Sequence, residues 1–304
     1  MNITAYLLTL GGFVLAGILW FGAAWKGQGG KKTGVLCLLI LFLGCLLGFV
    51  CAKATWLLLR ANTLSFDRLW SAIIRVQPDE LSYYGGVAGV CLALWLSAKL
   101  AGQPARQVMN AFAPMGALIA AGARFAEGFL GMLGTGKYLE KSFFPVAVEI
   151  SWGDDWKEYY LAVFMLEGLL SLAAMAFALR HREERDRFLR TLFYLCLPQV
   201  FCESLRMQTI AWLFIKTEQL ICFLFCEGVL VWYGFRARIR SFRRWLPALT
   251  GLVVCGLTVA EEFALDKTNI PHWITYACMI AGLAAMAVAE HRGYHRIYAK
   301  ETKQ

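Results

Sequence analysis

The sequence predicts an all-α fold: a polytopic membrane helix bundle of about nine transmembrane helices. Three observations predict it. Of the 304 residues, 59% are hydrophobic and 17% charged, with a mean hydropathy of +0.55. A soluble globular chain is about 45–50% apolar and about 25% charged. The apolar residues gather into runs close to the ~20 residues that cross a bilayer core. Lys and Arg recur in alternate connecting segments, the pattern that orients membrane helices.

The runs lie at about 4–25, 34–58, 83–100, 108–133, 158–179, 189–206, 216–235, 245–262 and 272–290. The sixth is the weakest, being short and carrying Pro198, Gln199, Glu203 and Arg206. The first six residues lack the Lys or Arg that a secretory signal peptide carries at its start, so the first helix is expected to be retained. Its far flank holds Lys26, Lys31 and Lys32, which puts the N-terminus outside. Alternation from there leaves the C-terminus in the cytoplasm. The cytoplasmic segments then also hold Lys99, Arg106, Arg180, Arg182, Arg185, Arg187 and Arg190. Arg236, Arg238, Arg240, Arg243, Arg244, Arg292, Arg296, Lys300 and Lys303 complete nineteen of the 30 basic residues. The outer segments 59–82 and 134–157 are longer and mix in Asp67, Asp79, Glu80, Glu140, Glu149, Asp154 and Asp155.

The net charge of +9 is accounted for by these loops, so no nucleic acid is expected as a partner. The Arg236–Arg244 cluster is also placed to meet anionic lipid head groups. Ten cysteines occur, mostly inside apolar runs and without a CxxC pair. They read as small packing residues, including Cys222 and Cys226 on one helix face. The four histidines (His181, His272, His291, His295) stand at loops or ends. With no nucleotide fingerprint and no metal-ligand cluster, neither cofactor nor metal is expected.

Ionisable residues inside spans are costly and tend to face the bundle interior. Here they are Arg124, Glu127, Glu167, Glu203, Arg206 and Glu227. Arg124 and Glu127 are three apart, as are Glu203 and Arg206, so each pair would share a helix face. Two such pairs near the outer leaflet would build a cleft for phosphate, which Arg binds bidentately. In the blander alternative each Arg neutralises its own Glu and fixes packing. Beside them runs Ser82-Tyr83-Tyr84-Gly85-Gly86-Val87-Ala88-Gly89. Its glycines allow a backbone or a head group to approach closely. Gly44 and Gly48 form a second small-residue face, for packing. Glu261 and Glu262, at the outer turn of the last two spans, are expected to be solvated.

The stretch from Glu80 to Gly136 resembles the prolipoprotein diacylglyceryl transferase family. That family carries "(S/A)-x-(H/Y)-G-G-x-x-G" at a span head, matched by Ser82–Gly89 with Tyr84 at the His/Tyr position. Its next span ends in "A-G-R-x-G-N-F-x-N-x-E-x-x-G". Here Gly122–Met132 keeps Arg124, Glu127 replaces the first Asn, and the second Asn and the Glu are not recovered. Phe42–Phe49 resembles "F-L-G-G-R-I-G-Y" without its Arg, and Met165–Leu169 resembles "L-L-E-G". Gln199–Arg206 resembles "R-F-x-x-E-F-x-R", with Gln199 in place of the first Arg and Glu203 and Arg206 kept.

The resemblance covers roughly residues 1–240. It implies a seven-helix domain at 1–244, followed by two further helices and a basic tail at 245–304 without a counterpart. It implies an enzyme of a bacterial cell (inner) membrane that moves diacylglyceryl from phosphatidylglycerol to the lipobox cysteine of a lipoprotein precursor. Arg124 would hold the phosphate, with Arg206 assisting. Glu203 would orient Arg206 or relay a proton, and Tyr84 would bond the head group or move a proton. Gly85, Gly86, Glu127 and Gln199 would complete the substrate site. Tyr83 and Trp152 read as interface aromatics. The alternatives are a catalytically altered or inactive member that binds phospholipid or another acceptor, and a structural membrane protein or transporter. Against a transporter, no internal repeat and no matching broken helices are visible.

Overall fold

The computed structural model describes residues 2–28, 30–60, 66–74, 77, 80–143, 145–151, 156–181, 185–207, 211–212, 215–237 and 242–298. Trp152, Asp79, Asp154, Asp155, Arg182, Arg238, Arg240, Lys300 and Lys303 lie outside the described residues.

The chain begins with α1 (Ile3–Gly27) and α2 (Thr33–Arg60), then the short α3 (Phe66–Ile74). Next come α4 (Tyr83–Leu100) and α5 (Ala105–Glu127), followed by a 3-10 turn at Gly128–Leu130. Three strands follow: β1 (Tyr138–Leu139), β2 (Ala147–Ser151) and β3 (Lys157–Leu161). α6 (Val163–Arg180) and α7 (Arg187–Leu205) precede the two-residue strands β4 (Ala211–Trp212) and β5 (Ile215–Lys216). The chain ends with α8 (Thr217–Arg236), α9 (Leu246–Lys267) and α10 (His272–Tyr298).

Among the described residues, eight helices are long and apolar enough to cross a membrane: α1, α2, α4, α5, α6, α8, α9 and α10. The sixth expected span forms a helix, α7, but does not reach that threshold. Arg187, Arg190 and Glu203 charge it, and Pro198 and Gln199 make it more polar still. The membrane bundle expected from hydropathy is present, with eight apolar spans and α7, a helix of 19 residues, on the remaining expected run.

Two differences concern residues 134–161. The described residues of this segment include a three-stranded antiparallel sheet in the order β1-β3-β2, with Tyr138 and Val148 both opposite Tyr160. The run expected to enter the membrane at 158 is β3, and α6 starts only at Val163. Lys-Glu-Tyr-Tyr-Leu is rich in aromatics suited to a strand, and Val148 and Ile150 on β2 are β-branched. Lys157 and Glu149 pair across these strands at 2.8 Å.

The chain divides into two compact units. The first comprises residues 1–192 and 206–208, the second 193–205 and 209–304. In the first, Ile18, Phe21 and Trp25 of α1 pack with Leu36 and Ile40 of α2, Leu94 of α4 and Val108, Phe112 and Met115 of α5. The Phe21 and Phe112 rings meet edge to face at 5.6 Å. α2 and α4 approach through small residues. A Cβ on Gly89 would stand 2.2 Å from the Leu47 carbonyl oxygen, and one on Gly85 2.5 Å from Thr55 Oγ1. Neither position has room for a methyl group without the backbones parting. Gly89→Ala is expected to cost about 1–3 kcal/mol, as overpacking does. Thermal unfolding of the detergent-solubilised variant measures it, and an unchanged Tm would refute the tight α2–α4 contact.

In the second unit, Cys222, Cys226 and Leu230 of α8 are fully buried with Met286 of α10. Glu290 of α10 accepts hydrogen bonds from the Tyr194 hydroxyl at 2.9 Å and the Tyr233 hydroxyl at 3.2 Å. Glu262 corrects an expectation. It is buried, and its Oε1 accepts from Gln219 Nε2 at 3.0 Å and from the Ser204 hydroxyl. α9 continues to Lys267, so Glu262 lies inside the helix and not on an outer turn.

Candidate active site

The site residues of the first unit come from the ends of three helices and one residue beyond a fourth. α4 begins at Tyr83 because Ser82 caps it, its hydroxyl accepting from the Gly85 N–H at 3.2 Å. This fixes Tyr83 and Tyr84 in the first turn. α5 ends at Glu127, which places Arg124 and Glu127 one turn apart at its C-terminus. Glu167 lies in the first turns of α6. Arg206 follows the last residue of α7 and bridges Gly136 through its backbone. The Met207 N–H donates to the Thr135 carbonyl at 3.2 Å, which ties this segment down.

These four charged side chains close a ring. Arg124 Nη1 donates to Glu127 Oε1 at 2.7 Å, and Glu127 Oε2 accepts from Arg206 Nη2 at 2.6 Å. Arg206 Nε donates to Glu167 Oε1 at 2.9 Å, and Arg206 Nη2 also reaches Glu167 Oε2. Glu167 Oε2 returns to Arg124 Nε at 3.4 Å. Side-chain exposure is 2% for Arg124 and 1% for Glu167, against 12% for Arg206 and 15% for Glu127. The ring therefore opens on its Arg206–Glu127 side.

Two tyrosines flank it. The Arg124 guanidinium carbon lies 3.5 Å from the centre of the Tyr83 ring and 5.9 Å from that of Tyr84. At that distance the Tyr83 face covers one side of the guanidinium plane. The two rings meet edge to face at 5.1 Å. Tyr6 of α1 is within electrostatic reach of Glu127 and Arg124. Gly134, at φ +99°, lies so close that a Cβ there would stand 3.1 Å from Glu127 Oε2. That backbone conformation and that approach both call for glycine.

One nitrogen is left over. Arg124 Nη2 is buried and has no hydrogen-bond partner among the described residues. A buried donor left unmade costs about 1–3 kcal/mol, a cost that a ligand oxygen meeting it would offset. A guanidinium edge beside tyrosine rings can hold a phosphodiester and stabilise the charge on a departing phosphate.

Of the residues singled out in the sequence, Tyr84, Arg124, Glu127 and Arg206 meet in this one place. Gly85 packs onto Cys51 and Thr55 of α2, and a Cβ on Gly86 would make only ordinary contact with Ala52. Gln199 and Glu203 belong to the second unit, where Gln199 Nε2 donates to Glu203 Oε1 at 2.9 Å and Lys216 Nζ donates to the Glu203 carbonyl. α7 ends at Leu205, so Arg206 stands one residue beyond the helix that carries Glu203. Glu227 of α8 lies against Gly251 of α9, and its carboxylate oxygens are buried without a hydrogen-bond partner among the described residues. Sequence reasoning assigned Tyr83 to the membrane interface, left Glu167 outside the site and did not single out Tyr6 or Gly134. For Glu167 the signal existed: a glutamate in an apolar run requires a partner.

Fold and site together define a multi-pass membrane protein with a buried ring of guanidinium and carboxylate groups at helix ends. The family model described as prolipoprotein diacylglyceryl transferase matches residues 1–234, and the chain belongs to that family. The match ends within α8, so α9 and α10 lie beyond it. Among curated proteins nothing matches the chain.

Proposed function

We propose that the chain transfers the diacylglyceryl group of a membrane phospholipid, phosphatidylglycerol by the family resemblance, to the cysteine thiol of a lipoprotein precursor. The lipobox thiol loses its proton, and the thiolate attacks the glycerol carbon that bears the phosphate. A carbon–sulfur bond forms and the carbon–oxygen bond breaks. The electron pair leaves with glycerol phosphate, which takes up one proton overall. Arg124, through Nη2, receives the phosphodiester, and Arg206 adds a second positive charge. Tyr84 donates to the head group or passes the proton on. The roles of Gln199 and Glu203 rest on their match to the family segment. The protein sits in a bacterial cell membrane with its N-terminus outside and its C-terminus in the cytoplasm.

The observation that carries this reading is Arg124 Nη2, without a hydrogen-bond partner among the described residues, in a buried ionic ring inside a stretch that belongs to the transferase family. Purified protein given phosphatidylglycerol labelled in its acyl chains and a lipobox peptide is expected to yield thioether-linked lipid. Failure to form product with a folded, lipid-supplied protein would overturn it. Glu127 holding Arg124 at 2.7 Å favours a second reading, a member that binds phospholipid without turnover. The same assay separates the two, since that member retains lipid and forms no thioether.

A further inference from the structure

We propose that Glu127 makes this site a receptor for a zwitterionic phospholipid bearing a primary ammonium, of the phosphatidylethanolamine type. The phosphodiester meets Arg124 Nη2 and the ammonium meets the Glu127 carboxylate. The inference rests on the reading of the ring as a phospholipid head-group site and names the head group.

The first argument is charge. Arg124 and Arg206 carry two positive charges, and Glu127 and Glu167 carry two negative ones. Among the described residues the ring is therefore neutral. A phosphodiester alone would leave one uncompensated negative charge in a buried, membrane-embedded place. Such a charge carries a desolvation cost that its contacts must offset. A zwitterion brings an anion and a cation together and keeps the sum at zero.

The second argument is geometry. Two of the three Arg124 nitrogens are used, Nε on Glu167 and Nη1 on Glu127. A phosphate oxygen on Nη2 therefore lies one guanidinium nitrogen away from the Glu127 carboxylate. Tyr83 covers a face of the guanidinium plane, so the ligand approaches along its edge. Glu127 is the more open acid, 15% exposed against 1% for Glu167. Among the described residues each of its oxygens accepts one hydrogen bond, from Arg124 or Arg206, which leaves capacity for a further donor. Position 134 is glycine, so no side chain covers Oε2 from that direction. A primary ammonium supplies N–H donors to a carboxylate, whereas the glycerol head group of phosphatidylglycerol supplies only hydroxyls.

The reaction balances with this donor as with the first. The carbon–sulfur bond forms, the carbon–oxygen bond to phosphate breaks, phosphoethanolamine leaves, and the thiol proton ends on the departing phosphate.

The test uses the full chain, purified from vesicles of phosphatidylcholine that hold equal fractions of phosphatidylethanolamine and phosphatidylglycerol, with retained lipid read by mass spectrometry. The chain is expected to retain phosphatidylethanolamine over phosphatidylglycerol. Glu127→Gln is expected to move that ratio about tenfold toward phosphatidylglycerol, as loss of one close charge pair does. An unmoved ratio, or a shift the other way, overturns the inference. If the variant does not fold, the unsubstituted chain decides, because retention of phosphatidylglycerol over phosphatidylethanolamine overturns it as well. Running the peptide assay on both lipids keeps the two proposals apart. Thioether product with no head-group preference refutes only the role of Glu127. A strong preference without product refutes only the transferase reading.

Discussion

Arg124→Ala is expected to lower diacylglyceryl transfer by at least about 10²–10³-fold, the loss found when one preorganised donor to a developing anion is removed. In the proposed mechanism Arg124 is the group that grips phosphate. Its Nη2 has no hydrogen-bond partner among the described residues and its other nitrogens are held by Glu127 and Glu167, so the side chain is already oriented before lipid arrives. Alanine removes the donor and also the positive charge that balances two buried carboxylates. Arg124→Lys separates these effects. It keeps the charge but replaces a planar fork with a compact ammonium that cannot hold two carboxylates and a phosphate edge at once. Lysine is therefore expected to fold well and still transfer slowly. The measurement is the rate of labelled lipid transfer to a lipobox peptide, with thermal unfolding as a control for folding. Transfer at the original rate by the folded lysine variant would remove Arg124 from the mechanism.

Much of the membrane architecture was legible because burying an apolar helix in lipid leaves a plain record in composition. Seven of the nine expected runs coincide closely with helices apolar enough to span. Of the other two, the run at 158–179 proved to begin as β3, and that at 189–206 became α7. β1 to β3 were hidden because strands of two to five residues within an outer loop leave no long periodic signal. Part of the site was legible for the same reason, since Arg124, Glu127, Glu167 and Arg206 are anomalous in apolar surroundings. What the spacing could not give was who pairs with whom. Spacing of three or four proposes partners on the same helix, and this held for Arg124 and Glu127. It could not propose Arg206 with Glu127 and Glu167, which are 79 and 39 residues away. Those contacts follow from where α7 stops and from the bridge between Arg206 and Gly136. Glu262 shows the same limit. A glutamate near a helix end reads as solvated until Gln219 and Ser204 are seen beside it.

Glu167→Gln is expected to destabilise the first unit by about 3–5 kcal/mol, the loss found when one member of a buried ion pair is removed. Glu167 is 1% exposed and, like Glu127, touches both guanidinium groups. Glutamine keeps the shape and one acceptor but leaves the ring with a net positive charge in a place that water does not reach. Arg206→Gln is expected to destabilise for the opposite reason, because two carboxylates then face one guanidinium. Combining the two changes restores neutrality with Arg124 and Glu127 as the remaining pair. The double variant should therefore lose less than the sum of the single losses, with an interaction term of about 0.5–3 kcal/mol. Unfolding of the detergent-solubilised single and double variants measures all three. Strict additivity would mean that the four groups do not act as one electrostatic unit. A recovered double variant that folds but does not transfer lipid would show that Arg206 serves the reaction as well as the fold, whereas one that still transfers would confine the substrate contact to Arg124 and Glu127.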